Sequence, residues 1–328
     1  MHTYIFRRLL LIIPTLLVVT LIVFFLFRLI PGNIVDLMLA EQQEGASLEL
    51  SRAELEHRLG LDVPIYVQYA RWIGIAPYPD TGLQGVFQGD LGRSLWTDRP
   101  VRDEIISRFP VSLELGLMAI VISLLIALPI GIYSAIRQDS WGDLVARTFA
   151  ILLIAVPMFW VGTIVIVLPS IWWHWSPPTQ FVPLFQNPIE NLKMLIIPAF
   201  ILGMGLSGIV MRMTRTMMLE VLRLDYIRTA WAKGLSERVI IFRHALKNAL
   251  IPVVTIIGLQ LPFVFAGAVV LEQIFSLPGI GRFLISALSN RDYTVVSGLN
   301  LFVATLVLLV NLGVDITYAY LDPRVHYK

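Results

Sequence analysis

No cysteine occurs among the 328 residues, and that absence removes three kinds of chemistry at once. A disulfide framework, a thiolate metal site and a cysteine nucleophile are all excluded. Charge is the second shortage. Asp, Glu, Lys and Arg make up 15% of the chain, against roughly a quarter in a soluble domain. The surface that a water-soluble fold needs is missing, while 57% of the residues are hydrophobic and the mean hydropathy is +0.76. A net charge of +2 is too small to argue for a nucleic-acid partner. The five histidines are scattered without metal-ligand spacing, so no metal site is expected. No segment fits G-x-x-x-x-G-K-[ST], so the chain has no phosphate-cradling loop and is not itself an ATPase.

Long apolar runs are what the chain has in quantity. Crossing a hydrocarbon core of about 30 Å takes roughly 20 apolar residues in a helix. Six stretches of about that length contain no Asp, Glu, Lys or Arg: Leu9–Phe27, Leu115–Ile136, Thr148–Trp173, Met194–Met211, Ala249–Leu271 and Val295–Val314. Unpaired backbone groups are too costly in lipid for any other local structure, so each run predicts a helix. The expected fold is an all-α membrane protein with six transmembrane helices. The first run is retained, because Arg28-Leu29-Ile30-Pro31-Gly32 follows it instead of a small-residue cleavage site.

Lys and Arg in the connections set the expected orientation. With the N-terminus inside, the inner segments hold fourteen of them, including Arg7, Arg8, Arg137, Arg147, Arg324 and Lys328, while the two short outer loops hold only Lys193, Arg282 and Arg291. Both termini are then cytoplasmic, and Trp172, Trp173 and Trp175 form part of an outer aromatic belt. The chain divides into a first helix with its N-terminus (1–30), an extracytoplasmic insertion (31–110) and a five-helix core (111–328).

Two soluble stretches stand out. In the insertion, Ser51-Arg52-Ala53-Glu54 reads as a capping box, Gly60 as the stop of that helix, and Pro64 as the entry to a helix over Ile65–Ile73. Gly89-Asp90-Leu91-Gly92-Arg93-Ser94 reads as a turn. This insertion is expected to shield the outer mouth, to dock an extracytoplasmic partner, or to do both. The inner connection 212–248 carries eight basic residues against Glu220, Asp225 and Glu237. It holds a short helix stopped at Gly234, then a second helical stretch from Glu237 to Asn248. From composition alone, a basic helical element of this kind could lie on anionic lipid.

The stretch Asp225-Tyr226-Ile227-Arg228-Thr229-Ala230-Trp231-Ala232-Lys233-Gly234-Leu235-Ser236, followed by His244-Ala245-Leu246-Lys247-Asn248-Ala249, resembles the EAA motif of ABC-importer permeases, in the form found in dipeptide and oligopeptide permeases of the B type. Other pieces match in the same order. They are Arg28-Leu29-Ile30-Pro31-Gly32, Leu59-Gly60-Leu61-Asp62 with Gln68-Tyr69, Gly89-Asp90-Leu91-Gly92 with Ser94, Pro100-Val101, Glu272 to Phe275, Pro278-Gly279-Ile280-Gly281, Arg291-Asp292-Tyr293 and Leu321-Asp322-Pro323-Arg324. The resemblance covers essentially the whole chain. It implies a permease subunit of an ATP-driven importer in a bacterial or archaeal plasma membrane. Its partners would be a homologous second permease, two cytoplasmic ATPase subunits that bind the ATP and Mg, and an extracytoplasmic substrate-binding protein. The cargo would be di- or oligopeptides, with oligosaccharides, nickel chelates or glutathione as alternatives. The resemblance assigns coupling to the ATPase to Asp225, Tyr226, Arg228, Thr229, Ala230, Lys233, Gly234, Leu235 and Ser236, and makes Glu272, Pro278, Gly279 and Gly281 candidates for an external loop or gate. Arg228 stands where the motif's naming glutamate would be, and Trp231 where the peptide group commonly has arginine.

Rival functions need chemistry that is hard to find. Gly205-Leu206-Ser207-Gly208 is similar to the nucleophile motif of rhomboid proteases, but no histidine lies within a span to activate the serine. Small residues there suit close helix packing instead. Glu114, Glu272 and Asp315 flank the runs, and Asn300 and Asn311 lie inside the last one; local satisfaction or helix-to-helix hydrogen bonding is the expected job for each. A secondary transporter would need an ion-coupling site and inverted repeats, and neither is evident. Pro14, Pro129, Pro157, Pro169, Pro198, Pro252 and Pro262 fall within spans, where each can bend its helix.

Overall fold

The computed structural model describes residues 2–28, 35, 36, 38, 39, 52–79, 82–178 and 180–321. Ser51 of the expected capping box, residues 29–32 and the tail 322–328 lie outside the described residues, as do the side chains of Arg7, Arg8 and Asp315. The elements are α1 (His2–Arg28), α2 (Arg52–Arg58), α3 (Ile65–Ile73), α4 (Val101–Ile136), α5 (Trp141–Ala155), α6 (Met158–Trp173), α7 (Pro188–Leu222), α8 (Asp225–Ala232), α9 (Leu246–Ile274), α10 (Ile280–Ser289) and α11 (Tyr293–Leu321). Among the described residues no strand is formed. The chain is an all-α membrane protein.

Five helices are single, continuous and apolar enough to cross a membrane. The expected third span is the exception: instead of one helix over Thr148–Trp173, α5 and α6 meet at 88°, and six spans result only if this bent pair counts as one. Pro157 is the cause. It has no N–H to donate, and its ring drives the preceding residue out of the helical region. Val156 accordingly sits at φ −82°, ψ 123°, ending α5 before α6 restarts. By contrast, Pro14, Pro169, Pro198, Pro252 and Pro262 stay inside continuous helices. The helices also overrun the charge-free stretches. The fourth run belongs to the 35-residue α7, roughly 52 Å long and well over a hydrocarbon core.

The chain forms two compact units. The first comprises Met1–Ile5, Val111–Gly281 and Leu309–Lys328. Its core is Leu115 and Ala119 of α4, Leu195, Ala199 and Leu202 of α7, and Val264, Ala268 and Leu271 of α9. Small residues let these helices touch. A Cβ on Gly203 would stand 2.7 Å from the Ala119 carbonyl, and one on Gly208 would stand 2.7 Å from that of Ala150. Ser207 is fully buried and donates to the Met204 carbonyl of its own helix at 2.7 Å. Packing is what the Gly205-Leu206-Ser207-Gly208 segment does.

The second unit comprises Phe6–Pro110 and Arg282–Leu308. Phe24 and Phe25 of α1 pack on Tyr69 and Trp72 of α3, with the Arg28 guanidinium 3.5 Å from the Phe24 ring centroid. Gly60 ends α2 in the left-handed region at φ 66°, and Pro64 leads into α3, both as the sequence predicts. The Gly89–Ser94 turn is also present, with Gly92 N–H bonded to Asp90 Oδ1 at 2.9 Å. It is anchored at the start of α11. Ser94 Oγ donates to Asp292 Oδ2 at 2.6 Å, and Asp292 Oδ1 accepts from the Val295 N–H. Trp96 Nε1–H reaches the Asn290 carbonyl at 2.7 Å. Beside this anchor lies a cavity of about 230 Å3 walled by Trp96, Arg99, Glu104, Arg108 and Phe283.

Candidate functional site

The 225–236 stretch begins where α7 ends. Helix α8 has two residues that face inward, Ile227 and Ala230, three apart and thus on one face. They join a cluster with Ile132 and Ala135 of α4, Met218 and Val221 of α7, and Ile240, Ile241, Ala245 and Ala249 beyond the turn. The second helical stretch, expected over Glu237 to Asn248, runs on without a break to Ile274. Within it, Ile240–Ala245 is π-helical, with the Leu246 N–H bonded to the Ile241 carbonyl five residues back. The extra residue per turn keeps Ile240, Ile241 and Ala245 all in the cluster.

Gly234 makes the turn between the two helices. Its N–H bonds the Trp231 carbonyl at 2.9 Å, and the Leu235 N–H bonds the Ala230 carbonyl at 3.4 Å. That pair is a Schellman cap, with Gly234 at φ 75°. The polar residues point the other way. Asp225, Tyr226, Arg228, Thr229, Lys233, Gly234, Leu235 and Ser236 are all exposed, and only Ala230 of the expected coupling residues is buried. Arg228 pairs loosely with Asp225 at 3.3 Å across an exposed turn, a contact that water screens and a partner could replace. Tyr226 is tied back: its hydroxyl accepts from Asn248 Nδ2 at 2.8 Å and lies 3.3 Å from the His244 carbonyl it bonds. The arrangement is a short rigid helix, clamped on one face and open on the other.

The external candidates are also brought together. Glu272 is buried, and Ser112 Oγ of α4 donates to its Oε1 at 2.5 Å. The same Ser112 oxygen accepts from the Ile280 N–H at 2.9 Å. A Cβ on Gly279 would collide with the Glu272 carboxylate, and one on Gly281 would stand 2.5 Å from Val269 Cα. Pro278 lies in the same tight turn. Glu272 therefore ties α4 to the turn after α9. Gly279→Ala is expected to cost about 1–3 kcal/mol by overpacking against a carboxylate that Ser112 holds in place. A thermal unfolding midpoint lowered by several degrees in detergent is the expected reading, and an unchanged midpoint would count against the packing. Among the other intramembrane polar residues, Glu114 accepts from Asn191 Nδ2 at 3.0 Å and Asn300 donates to its own helix at Val296.

One constellation was not foreseen. Asp143 of α5 is fully buried and receives a bidentate pair from Arg215 of α7, with Nε to Oδ1 at 2.8 Å and Nη2 to Oδ2 at 2.9 Å. Ser134 of α4 donates to it, the Asp139 N–H reaches it at 3.0 Å, and Arg147 approaches to 3.2 Å. Ser140 caps α5 by accepting from the Asp143 N–H. A local signal existed in Ser140 three residues before Asp143, but nothing in the sequence pairs Asp143 with Arg215.

The chain matches two family models. Residues 127–327 match the binding-protein-dependent transport system inner membrane component, and residues 1–116 the N-terminal part of such membrane components. The di/tripeptide transport system permease protein DppB of Pseudomonas aeruginosa is 41% identical, with all of both chains covered. The dipeptide transport system permease protein DppB of Escherichia coli K12 is 40% identical, again over the full length of both. A solved inward-facing MetNI methionine ABC transporter chain is 14% identical with a TM-score of 0.52, covering 66% of this chain and 96% of its own, a likeness of fold. The chain belongs to the binding-protein-dependent transport system inner membrane components, as a membrane-embedded ABC-importer permease of the peptide type.

Proposed function

We propose that this chain forms half of the translocation pathway of an ATP-driven importer of di- or oligopeptides, and that residues 225–236 are its contact with a cytoplasmic ATPase. The observation that carries the coupling role is the clamped helix α8. Ile227 and Ala230 fasten it to α4, α7 and the start of the α9 segment, so displacement of its outer face moves three long helices together. Arg228, Lys233, Trp231 and Leu235 are exposed on that face and supply both charge and apolar contact. Charge-assisted hydrogen bonds from Arg228 and Lys233 to acidic groups would resist a pulling motion.

In this reading both termini are cytoplasmic and the insertion faces outward. A homologous second permease completes the pathway, two ATPase subunits bind ATP and Mg, and an extracytoplasmic binding protein delivers cargo. The many exposed apolar residues of α1, Leu9, Leu11, Ile13, Val18 and Ile22 among them, suit lipid or the second permease. Relatives named for di- and tripeptides, alike over their full length, support the peptide assignment. The test is purification of the chain from its native membrane in mild detergent, with mass spectrometry of stoichiometric companions. A second permease and P-loop ATPases are expected. The complex, reconstituted in vesicles with its binding protein, should take up labelled dialanine on addition of ATP, with competition by nickel chelates, glutathione and oligosaccharides compared alongside. A chain that purifies alone or only with itself would overturn the reading.

A further inference from the structure

Two polar side chains near the midpoints of their spans face the same small cavity in the first unit. Ser123 lies on α4 and Gln260 on α9, eleven residues from either end of the Ala249–Leu271 run. Ser123 is 3% exposed, and its Oγ has no hydrogen-bond partner among the described residues. Its alternative, a bond to the carbonyl one turn back as Ser207 makes, is not taken. Gln260 is half-buried and makes no side-chain hydrogen bond among the described residues. The remaining walls are apolar, including Leu206, Val210 and Ile257. The space is about 10 Å3, the scale of a single water molecule.

An orphaned hydroxyl and an unbonded amide cannot face hydrocarbon at this depth without a penalty. We infer that Ser123 and Gln260 line the substrate passage, here in its closed form, and offer hydrogen bonds to the backbone amides of a passing peptide. A serine and a glutamine are suited to that cargo. They donate and accept without charge, and so bind an amide without favouring one side chain over another. The apolar walls would leave side chains of varied shape unopposed. This inference rests on the permease reading above.

The absence of cysteine makes the test direct, since a single introduced thiol is the only one in the chain. Ser123→Cys and Gln260→Cys are made separately in the complete transporter in nanodiscs, beside Leu125→Cys, which is 70% exposed on the same helix as Ser123. Each is treated with a charged, membrane-impermeant methanethiosulfonate, with and without ATP and vanadate, and adducts on this chain are counted by mass. The expected result is that Cys at 123 and 260 reacts at least ten-fold faster than Cys at 125 in one nucleotide state, with a rate at least five-fold different in the other. Thiols that stay unreactive in both states would make the cavity a sealed packing gap. Reaction at one rate in both states would make it a fixed water pocket. Either of these two results overturns the assignment. ATP-driven dialanine uptake by the unmodified complex is measured in parallel. Its absence counts against the permease reading, while the response of labelling to nucleotide still decides the passage.

Discussion

Gly234→Pro, expressed with its partner subunits, is expected to reach the membrane at wild-type abundance and to support no ATP-driven uptake above background. The native residue sits at φ 75°, and proline is held near −65°. Proline also lacks the N–H that Gly234 donates to the Trp231 carbonyl. Both halves of the change act on the same Schellman cap, so the last turn of α8 and its angle to the following helix are lost together. No residue lies within 4 Å of the position a Cβ would take, which makes the damage one of backbone conformation and not of crowding. Gly234→Ala is the control that follows from this. Alanine in the left-handed region costs about 1–2 kcal/mol, and uptake should fall several-fold without vanishing. Insertion is read by immunoblot of the membrane fraction and coupling by uptake at saturating ATP. Uptake within two-fold of wild type for Gly234→Pro would sink the coupling assignment, as would uptake that survives deletion of 225–236.

The second large effect concerns stability. Arg215→Gln leaves a fully buried Asp143 carboxylate with only part of its compensation, and Asp143→Asn leaves two arginines facing each other. Removing one member of a buried ion pair costs about 3–5 kcal/mol. The lower end applies here, because Arg147 and the Asp139 N–H remain on Asp143 when Arg215 is changed. Each single variant should therefore unfold roughly 4–5 °C below the wild type in detergent. The double variant Asp143→Asn with Arg215→Gln should lose less than the two singles combined, because the partners are removed together. Singles that melt within two degrees of wild type, or a strictly additive double, would show that the pair contributes little. The network also has a functional reach. Arg215 lies seven residues before the end of α7, and α8 follows at once, so loosening Arg215 loosens the helix that carries the coupling segment.

The origin of these two predictions differs. The Gly234 turn is legible in the chain itself, because a glycine after a short amphipathic stretch signals a left-handed cap whatever surrounds it. The spans are legible for a similar reason: the thickness of the hydrocarbon core sets a length that charge-free runs must meet. So are the stop at Gly60 and the entry at Pro64, each a property of one residue's own φ. The resemblance along the chain led to the same family that the comparisons show. These features depend on near neighbours, and near neighbours are what a sequence displays.

Tertiary structure decided the rest. Asp143 and Arg215 are 72 residues apart, Ser112 and Glu272 are 160 apart, and Ser94 and Asp292 are 198 apart. No local propensity selects such partners; the packing of one helix against another does. Pro157 breaks a span while Pro169, Pro198, Pro252 and Pro262 lie in unbroken helices, and nothing in the proline itself distinguishes the five. A proline removes one hydrogen bond wherever it stands, but neighbouring helices determine whether the chain bends there or carries on. Ser123 and Gln260 are ordinary residues in two apolar runs until the fold turns both toward one cavity, where Ser123 Oγ has no partner among the described residues. Hydropathy and backbone conformation are written residue by residue, whereas the matching of distant polar groups exists only once the helices are assembled.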